Sequence, residues 1–200
     1  MVNLSKNLHE DEKQNYIELF KEFKDVFAWK YEDIKTYDTV IIQHKIPLKP
    51  RTKPFIQKLK QINPILLTVI EKEIRKFFDV KIIIPLHYSS RVENPVLVRN
   101  KNDELCLCVD IRNLNKCSLK DNYPLPRMDH VLQKVVGGTR ISMMDGLSIY
   151  NQVAMHPEDM EKTTFTTPWG TFIYQKMSFG LIKAGANFQR AMEIAFVGDR

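Results

Sequence analysis

Cysteine is scarce: Cys106, Cys108 and Cys117 are the only three in 200 residues, too few and too clustered for a disulfide framework. A reducing compartment, cytoplasm or nucleus, is the default that follows. Long apolar runs are also missing. No stretch approaches the ~18 residues that suggest a membrane span, so no membrane partner is expected. Met1 to Asp11 lacks the basic start and apolar stretch of a secretory signal, and the chain reads as not secreted. Acids are absent between His44 and Asn63, where Lys45, Lys49, Arg51, Lys53, Lys58 and Lys60 stand.

What is present is an ordinary globular composition, 44% hydrophobic and 27% charged, long enough for a domain with a core. The net charge of +6 is uneven: residues 1–40 carry 6 lysines against 9 acids, and residues 41–200 carry 24 bases against 15 acids. A basic excess of this kind attracts polyanions, although a solvated basic surface with no partner has the same composition.

Periodicity predicts an amphipathic helix over residues 12–28, carried by Tyr16, Ile17, Leu19, Phe20, Phe23, Val26 and Phe27. Pro47, Pro50 and Pro54 make the next stretch linker or sheet edge. Asn63-Pro64 opens a second helix that continues through Phe78. Strands are expected at 80–85, 95–98 and 105–109, with a turn at 100–104. A helix over 127–136 should stop at Gly137-Gly138, and a strand over 140–145 ends in Asp145. His156-Pro157-Glu158-Asp159 starts a helical turn, residues 163–167 and 171–177 form a hairpin about Pro168-Trp169-Gly170, and a helix spans 184–196. Helices and strands mix without regular alternation, which points to α+β.

Four stretches carry a specific resemblance. They are Cys108-Val109-Asp110-Ile111-Arg112-Asn113-Leu114-Asn115-Lys116 with Asp121-Asn122-Tyr123-Pro124-Leu125-Pro126; Met144-Asp145 to Tyr150-Asn151-Gln152; Met155-His156-Pro157-Glu158-Asp159 with Lys162-Thr163-Thr164-Phe165; and Phe179-Gly180-Leu181 with Phe188-Gln189-Arg190-Ala191-Met192. In this order and spacing they resemble the reverse transcriptases of Gypsy-type long-terminal-repeat retrotransposons of plants. The resemblance implies a partial right-hand polymerase. Residues 1–63 would be a helical and extended connector, and 64–200 the fingers and an incomplete palm, lacking the second catalytic motif, the thumb and RNase H. It also implies an RNA/DNA primer–template and a deoxynucleoside triphosphate (dNTP) as partners; oligomeric state is left open.

DNA synthesis in this family is an in-line phosphoryl transfer on two magnesium ions about 4 Å apart, which require converging hard oxygen ligands. By resemblance Asp145 is a metal-binding and catalytic carboxylate, and Gly146 offers its carbonyl. Tyr150 is the aromatic gate that meets a ribose 2′-hydroxyl. Phe179 and Gly180 approach nucleotide and template, and Lys101 grips the triphosphate. The basic run from Lys45 to Lys60 is the expected nucleic-acid surface.

The family's other carboxylates lie on a Tyr-x-Asp-Asp hairpin, and the 200 residues contain no adjacent Asp-Asp. The expectation is therefore a chain that does not polymerise alone. A non-catalytic nucleic-acid-binding remnant and an inert pseudogene product are the other readings. Departures from the family point the same way. Cys106 stands where an arginine is usual, and a thiol cannot supply that bidentate fork. Arg91 and Glu93 replace a tryptophan and a small residue, Ile149 a glycine, Ser178 a proline and Lys183 an asparagine. Zinc at Cys106-x-Cys108 is not expected, since no nearby Cys or His completes four ligands.

Overall fold

The computed structural model describes residues 4–99, 105–138 and 146–196. Helix α1 (Glu10–Glu22) begins with three acids in its first turn, and the Glu12 carboxylate accepts from the His9 amide at 3.2 Å. It is shorter than the periodicity predicts. At Phe23 the bonding changes to a 3-10 turn over Lys24–Val26, and Phe27 is extended. The apolar stripe contributes no buried residue; instead Tyr16, Phe20, Phe27 and Trp29 form a row of rings 5.8–6.3 Å apart.

Strand β1 (Gln43–His44) precedes helix α2 (Pro64–Asp79). The Asn63 side chain accepts from the Ile65 amide at 3.1 Å and proline takes the first helical position, as the sequence predicts. Strand β2 (Ile83–Pro85) starts three residues later than expected. Lys81 adopts a left-handed φ of 55°, so residues 80–82 close the helix end and do not extend the strand. Strands β3 (Pro95–Arg99) and β4 (Leu105–Val109) pair antiparallel, with Val96 opposite Cys108 and Val98 opposite Cys106. The expected turn at 100–104 and strand at 140–145 lie outside the described residues.

Helix α3 (Arg112–Cys117) is not apparent in the periodicity, being only six residues long. Helix α4 (Met128–Val135) ends as expected, with Gly137 at φ 92°. Strand β5 (Ala154–Met155) pairs parallel with β1, a contact between segments more than 100 positions apart. Helix α5 (Pro157–Met160) follows, then strands β6 (Phe165–Thr167) and β7 (Gly170–Tyr174), then helix α6 (Ala184–Ala195). The hairpin is narrower than predicted. Thr163 lies in a 3-10 turn, its hydroxyl accepting from the Tyr174 amide, and Gln175 and Met177 bond elsewhere, to Ile82 and Val153.

Strands β2, β7 and β6 form one antiparallel sheet. Ile83, Leu114, Val153, Met155, Phe165 and Met177 are wholly enclosed and form a single core with Ile70 and Ile74 of α2. The architecture is α+β. The proline-containing strap after β1 is fastened along its length: Leu48 bridges Ser118, and Ile56 bridges Val92. Among the described residues no helix is long and apolar enough to cross a membrane.

Candidate functional site

Two turns and one strand face meet at a cavity of about 680 Å³. The first turn is Ile149–Gln152, a 3-10 turn entered through Ser148 at φ 48°. Ser148 holds this left-handed conformation by accepting from Asn151 twice, at its carbonyl (2.8 Å) and its hydroxyl (2.7 Å). The turn presents Tyr150, whose ring meets Phe179 edge-on at 5.6 Å and Phe188 at 6.2 Å.

The second turn is Phe179-Gly180. Phe179 is 73% exposed, and Gly180 has φ 89°, a conformation that only glycine adopts without strain. Asn115 of α3 brackets this turn: its amide donates to the Gly180 carbonyl at 2.8 Å and its oxygen accepts from the Ile182 amide at 3.0 Å. The motif asparagine thereby sets the position of Phe179.

Gly146 lies on the same cavity. A Cβ there would stand 2.1 Å from Cγ2 of Ile149, so the isoleucine, where the resemblance calls for a glycine, fills the space a side chain at 146 would need. Gly146→Ala should cost about 1–3 kcal/mol through overpacking. Ile149→Gly should relieve that cost, with a coupling of at least ~0.5 kcal/mol in a double-mutant cycle read by urea unfolding; strict additivity would refute the pairing.

Strand β4 supplies the wall. Cys106 and Cys108, two positions apart, share one face and both line the cavity. Burial raises the Cys108 thiol above its ordinary range, with a further contribution from Cys106. At this wall a thiol stands where the resemblance calls for a guanidinium.

Several polar motif residues serve to hold backbone. Asp159 accepts from the Ile46 amide at 2.8 Å and pairs with Lys162, whose ammonium also donates to the Ile46 carbonyl at 3.0 Å. Burial works to raise the Asp159 carboxyl, but Lys162 and the Ile46 amide outweigh it and hold it below the usual range. Asp121 and Arg190 form a two-pronged pair at 2.7 and 2.8 Å, which holds the Asp121 carboxyl low. The same guanidinium lies 4.4 Å over the Tyr123 ring. Asn187 joins this group to buried His44 at 3.0 Å. Burial, reinforced by Lys183, lowers the His44 imidazole to about 4.

At the foot of the β3–β4 hairpin, Gln57 bonds Glu93, the Asp110 carbonyl and Asn94. Glu93 is 1% exposed, and burial with the nearby Asp110 charge pushes its carboxyl up to about 7. Arg91 beside it is buried, and its Nη1 lacks a hydrogen-bond partner among the described residues.

Gly146, Tyr150 and Phe179 are therefore gathered at one cavity, with Gly180 beside them. Asp145 and Lys101 lie outside the described residues. Lys45, Lys49, Arg51, Lys53, Lys58 and Lys60 are exposed along the strap, and none lines the cavity. Lys49 also donates to the Lys116 carbonyl. No described residue on the cavity carries a carboxylate, and no group of three or more His, Cys, Asp or Glu that could hold a metal occurs among the described residues. Asn115, Asp159, His44 and Tyr31 were not singled out by sequence. The first two stand inside the quoted motifs, the only signal that could have marked them.

No family model matches the chain. It is 29% identical over 201 residues to the retrovirus-related Pol polyprotein from transposon 412 of Drosophila melanogaster, covering 93% of this chain and 16% of that protein. It is 38% identical over 88 residues to an RNA-directed DNA polymerase homolog of Oenothera berteroana, covering 44% of this chain and 62% of that protein. Against the enzymatic polyprotein of Cauliflower mosaic virus it is 30% identical over 155 residues, covering 76% of this chain and 23% of that protein. Among solved structures, a prototype foamy virus protease–reverse transcriptase mutant superposes with a TM-score of 0.80 at 18% identity, covering 96% of this chain and 25% of that one. The foamy viral protease–reverse transcriptase solved with an RNA/DNA hybrid gives 0.79 at 15% identity, with the same coverage. The chain's homologues are thus Pol polyproteins of retrotransposons and related viruses together with an RNA-directed DNA polymerase homologue, and its fold is that of a segment of a retroviral protease–reverse transcriptase.

Proposed function

We propose that the chain is the fingers and part of the palm of a Gypsy-type retrotransposon reverse transcriptase of plant origin, working in the cytoplasm or nucleus. The carrying observation is that Gly146, Tyr150 and Phe179 line one cavity. Tyr150, wedged between Phe179 and Phe188, is a rigid ring able to meet the sugar of an incoming dNTP. Gly180 lets the backbone approach nucleotide and template, and Lys101 takes the triphosphate. In the intact enzyme Asp145 and the Gly146 carbonyl would share two magnesium ions with the Tyr-x-Asp-Asp carboxylates, and magnesium would supply charge neutralisation at the transferring phosphate. These 200 residues hold no adjacent Asp-Asp, so this polypeptide does not extend a primer by itself.

A second reading, a non-catalytic nucleic-acid-binding remnant, is favoured by the thiol at Cys106 where the triphosphate needs a cation. Both readings place primer–template on the exposed strap. Anisotropy titration of a primer–template against salt should give a steep log–log slope, with roughly 0.7–0.9 units per phosphate contact. Replacing Lys45, Lys49, Lys58 and Lys60 by glutamine should flatten it by about 3 units. An unchanged slope would remove the strap from the interface. Sustained nucleotide incorporation by the wild-type chain would refute the inactivity.

A further inference from the structure

The cavity has a wall contributed from far upstream. Tyr31 lines it together with Tyr150, Phe179 and Cys108. Its ring lies against Phe77 of α2 at 6.4 Å between centroids, under the Lys76 ammonium at 4.1 Å. The turn that presents it, Tyr31–Asp33, is fixed locally: the Asp33 carboxylate accepts from the Trp29 and Lys30 amides, both at 3.0 Å, and the Ile34 amide bonds the Tyr31 carbonyl. A few residues on, the Tyr37 amide donates to the Gln152 carbonyl at 2.8 Å, and Thr36 accepts from Lys176. Gln152 ends the turn that presents Tyr150, and Lys176 precedes Phe179 by three positions. The segment from Tyr31 to Tyr37 thus bonds the turn that carries Tyr150 and the stretch leading into the Phe179 turn, and contributes to the cavity wall.

We propose that Tyr31 is a positioning residue of this site: its ring closes the rear of the cavity, and the segment it begins seats the turns carrying Tyr150 and Phe179. The connector is then part of the site, and whatever enters the cavity meets a pocket whose depth Tyr31 sets. That the entrant is a dNTP rests on the function proposed above; the wall itself does not.

The cavity carries its own reporters. Cys106 and Cys108 line it, and Cys117, at the end of α3, does not. Alkylation by a small maleimide, followed site by site by mass spectrometry on the full chain, reads access directly because the reaction needs an accessible thiolate. Tyr31→Ala should speed Cys108 alkylation by about fivefold or more, the factor set by losing ~1 kcal/mol of packing, with Cys117 unchanged. Tyr31→Phe, which keeps the ring, should restore the wild-type rate. An unchanged Cys108 rate, a parallel rise at Cys117, or a Tyr31→Phe rate matching alanine would overturn the proposal. A separate arm adds primer–template and Mg–dNTP to wild type. Lack of thiol protection there, alongside a selective Tyr31→Ala effect, would reject the nucleotide reading and leave the wall standing.

Discussion

Glu93→Gln is expected to make the chain more stable at pH 8 by roughly 3 kcal/mol while changing little near pH 4. Glu93 is enclosed between the strap and the β3–β4 hairpin. Burial, then the charge of Asp110, raises its carboxyl to about 7, and the hydrogen bonds from Asn113 and Leu114 and the charge of Arg91 only partly oppose this. Between about pH 4.5 and 7 the folded chain holds a proton that the unfolded chain has released. Stability therefore falls as pH rises through that window and levels off above it. Near pH 4 the carboxyl is neutral in both states and glutamine is its isostere, so the two chains coincide. At pH 8 only the wild type carries a buried, poorly compensated charge.

His44 works in the opposite sense. Its imidazole is lowered to about 4 by burial, so the unfolded chain binds the extra proton between about pH 4 and 6.5, and stability rises with pH there. In wild type the two slopes oppose each other over most of that range. Removing Glu93 should leave the His44 slope exposed, a rising profile from pH 4 to 6.5 in urea-unfolding measurements. Parallel pH profiles for variant and wild type would show that Glu93 is not the titrating group.

Asp159→Ala should cost about 2–3 kcal/mol, because it strips a buried amide of its acceptor and a half-buried cation of its counter-charge. Asp159 satisfies the Ile46 amide and balances Lys162, which itself holds the Ile46 carbonyl. Ile46 is 3% exposed, so water cannot replace the lost bond without opening the core. Asp159→Asn keeps an acceptor for the amide and loses only the charge, so it should cost distinctly less. Urea midpoints with unchanged m-values measure both. A cost under ~1 kcal/mol for alanine would show that the strap is not fastened there.

Local signals were legible in the sequence. Asn63-Pro64 marked the start of α2, Gly137 marked the end of α4, and the Pro168-Trp169-Gly170 turn marked the β6–β7 hairpin, because each depends on residues within a few positions. The parallel β1–β5 pair was not, since a two-residue strand has no periodicity and its partner lies more than 100 positions away. Helix α1 was predicted too long because periodicity counts apolar positions and cannot see the 3-10 turn at Lys24–Val26.

The site divides in the same way. Tyr150 and Phe179 were found through the family resemblance, and their contact is a matter of folding. Asp121, Asp159 and Arg190 stand in the same motifs, yet the structure has them holding backbone and one another at a distance from the cavity. Glu93 and Arg91 were conspicuous as departures. Their consequence, a raised carboxyl and a buried guanidinium nitrogen without a partner among the described residues, required the packing around them. Tyr31-Glu32-Asp33 has only a superficial likeness to Tyr-x-Asp-Asp, far upstream in the connector, and nothing in its neighbours indicates that the chain returns to this cavity.

The most direct measurement is photolabelling of the chain, bound to primer–template, with a base-azido deoxynucleoside triphosphate, followed by peptide mapping. The account predicts label on the peptides holding Tyr150 and Phe179, competed by dNTPs and more weakly by ribonucleoside triphosphates. Label confined to the exposed strap, or spread evenly along the chain, would contradict it.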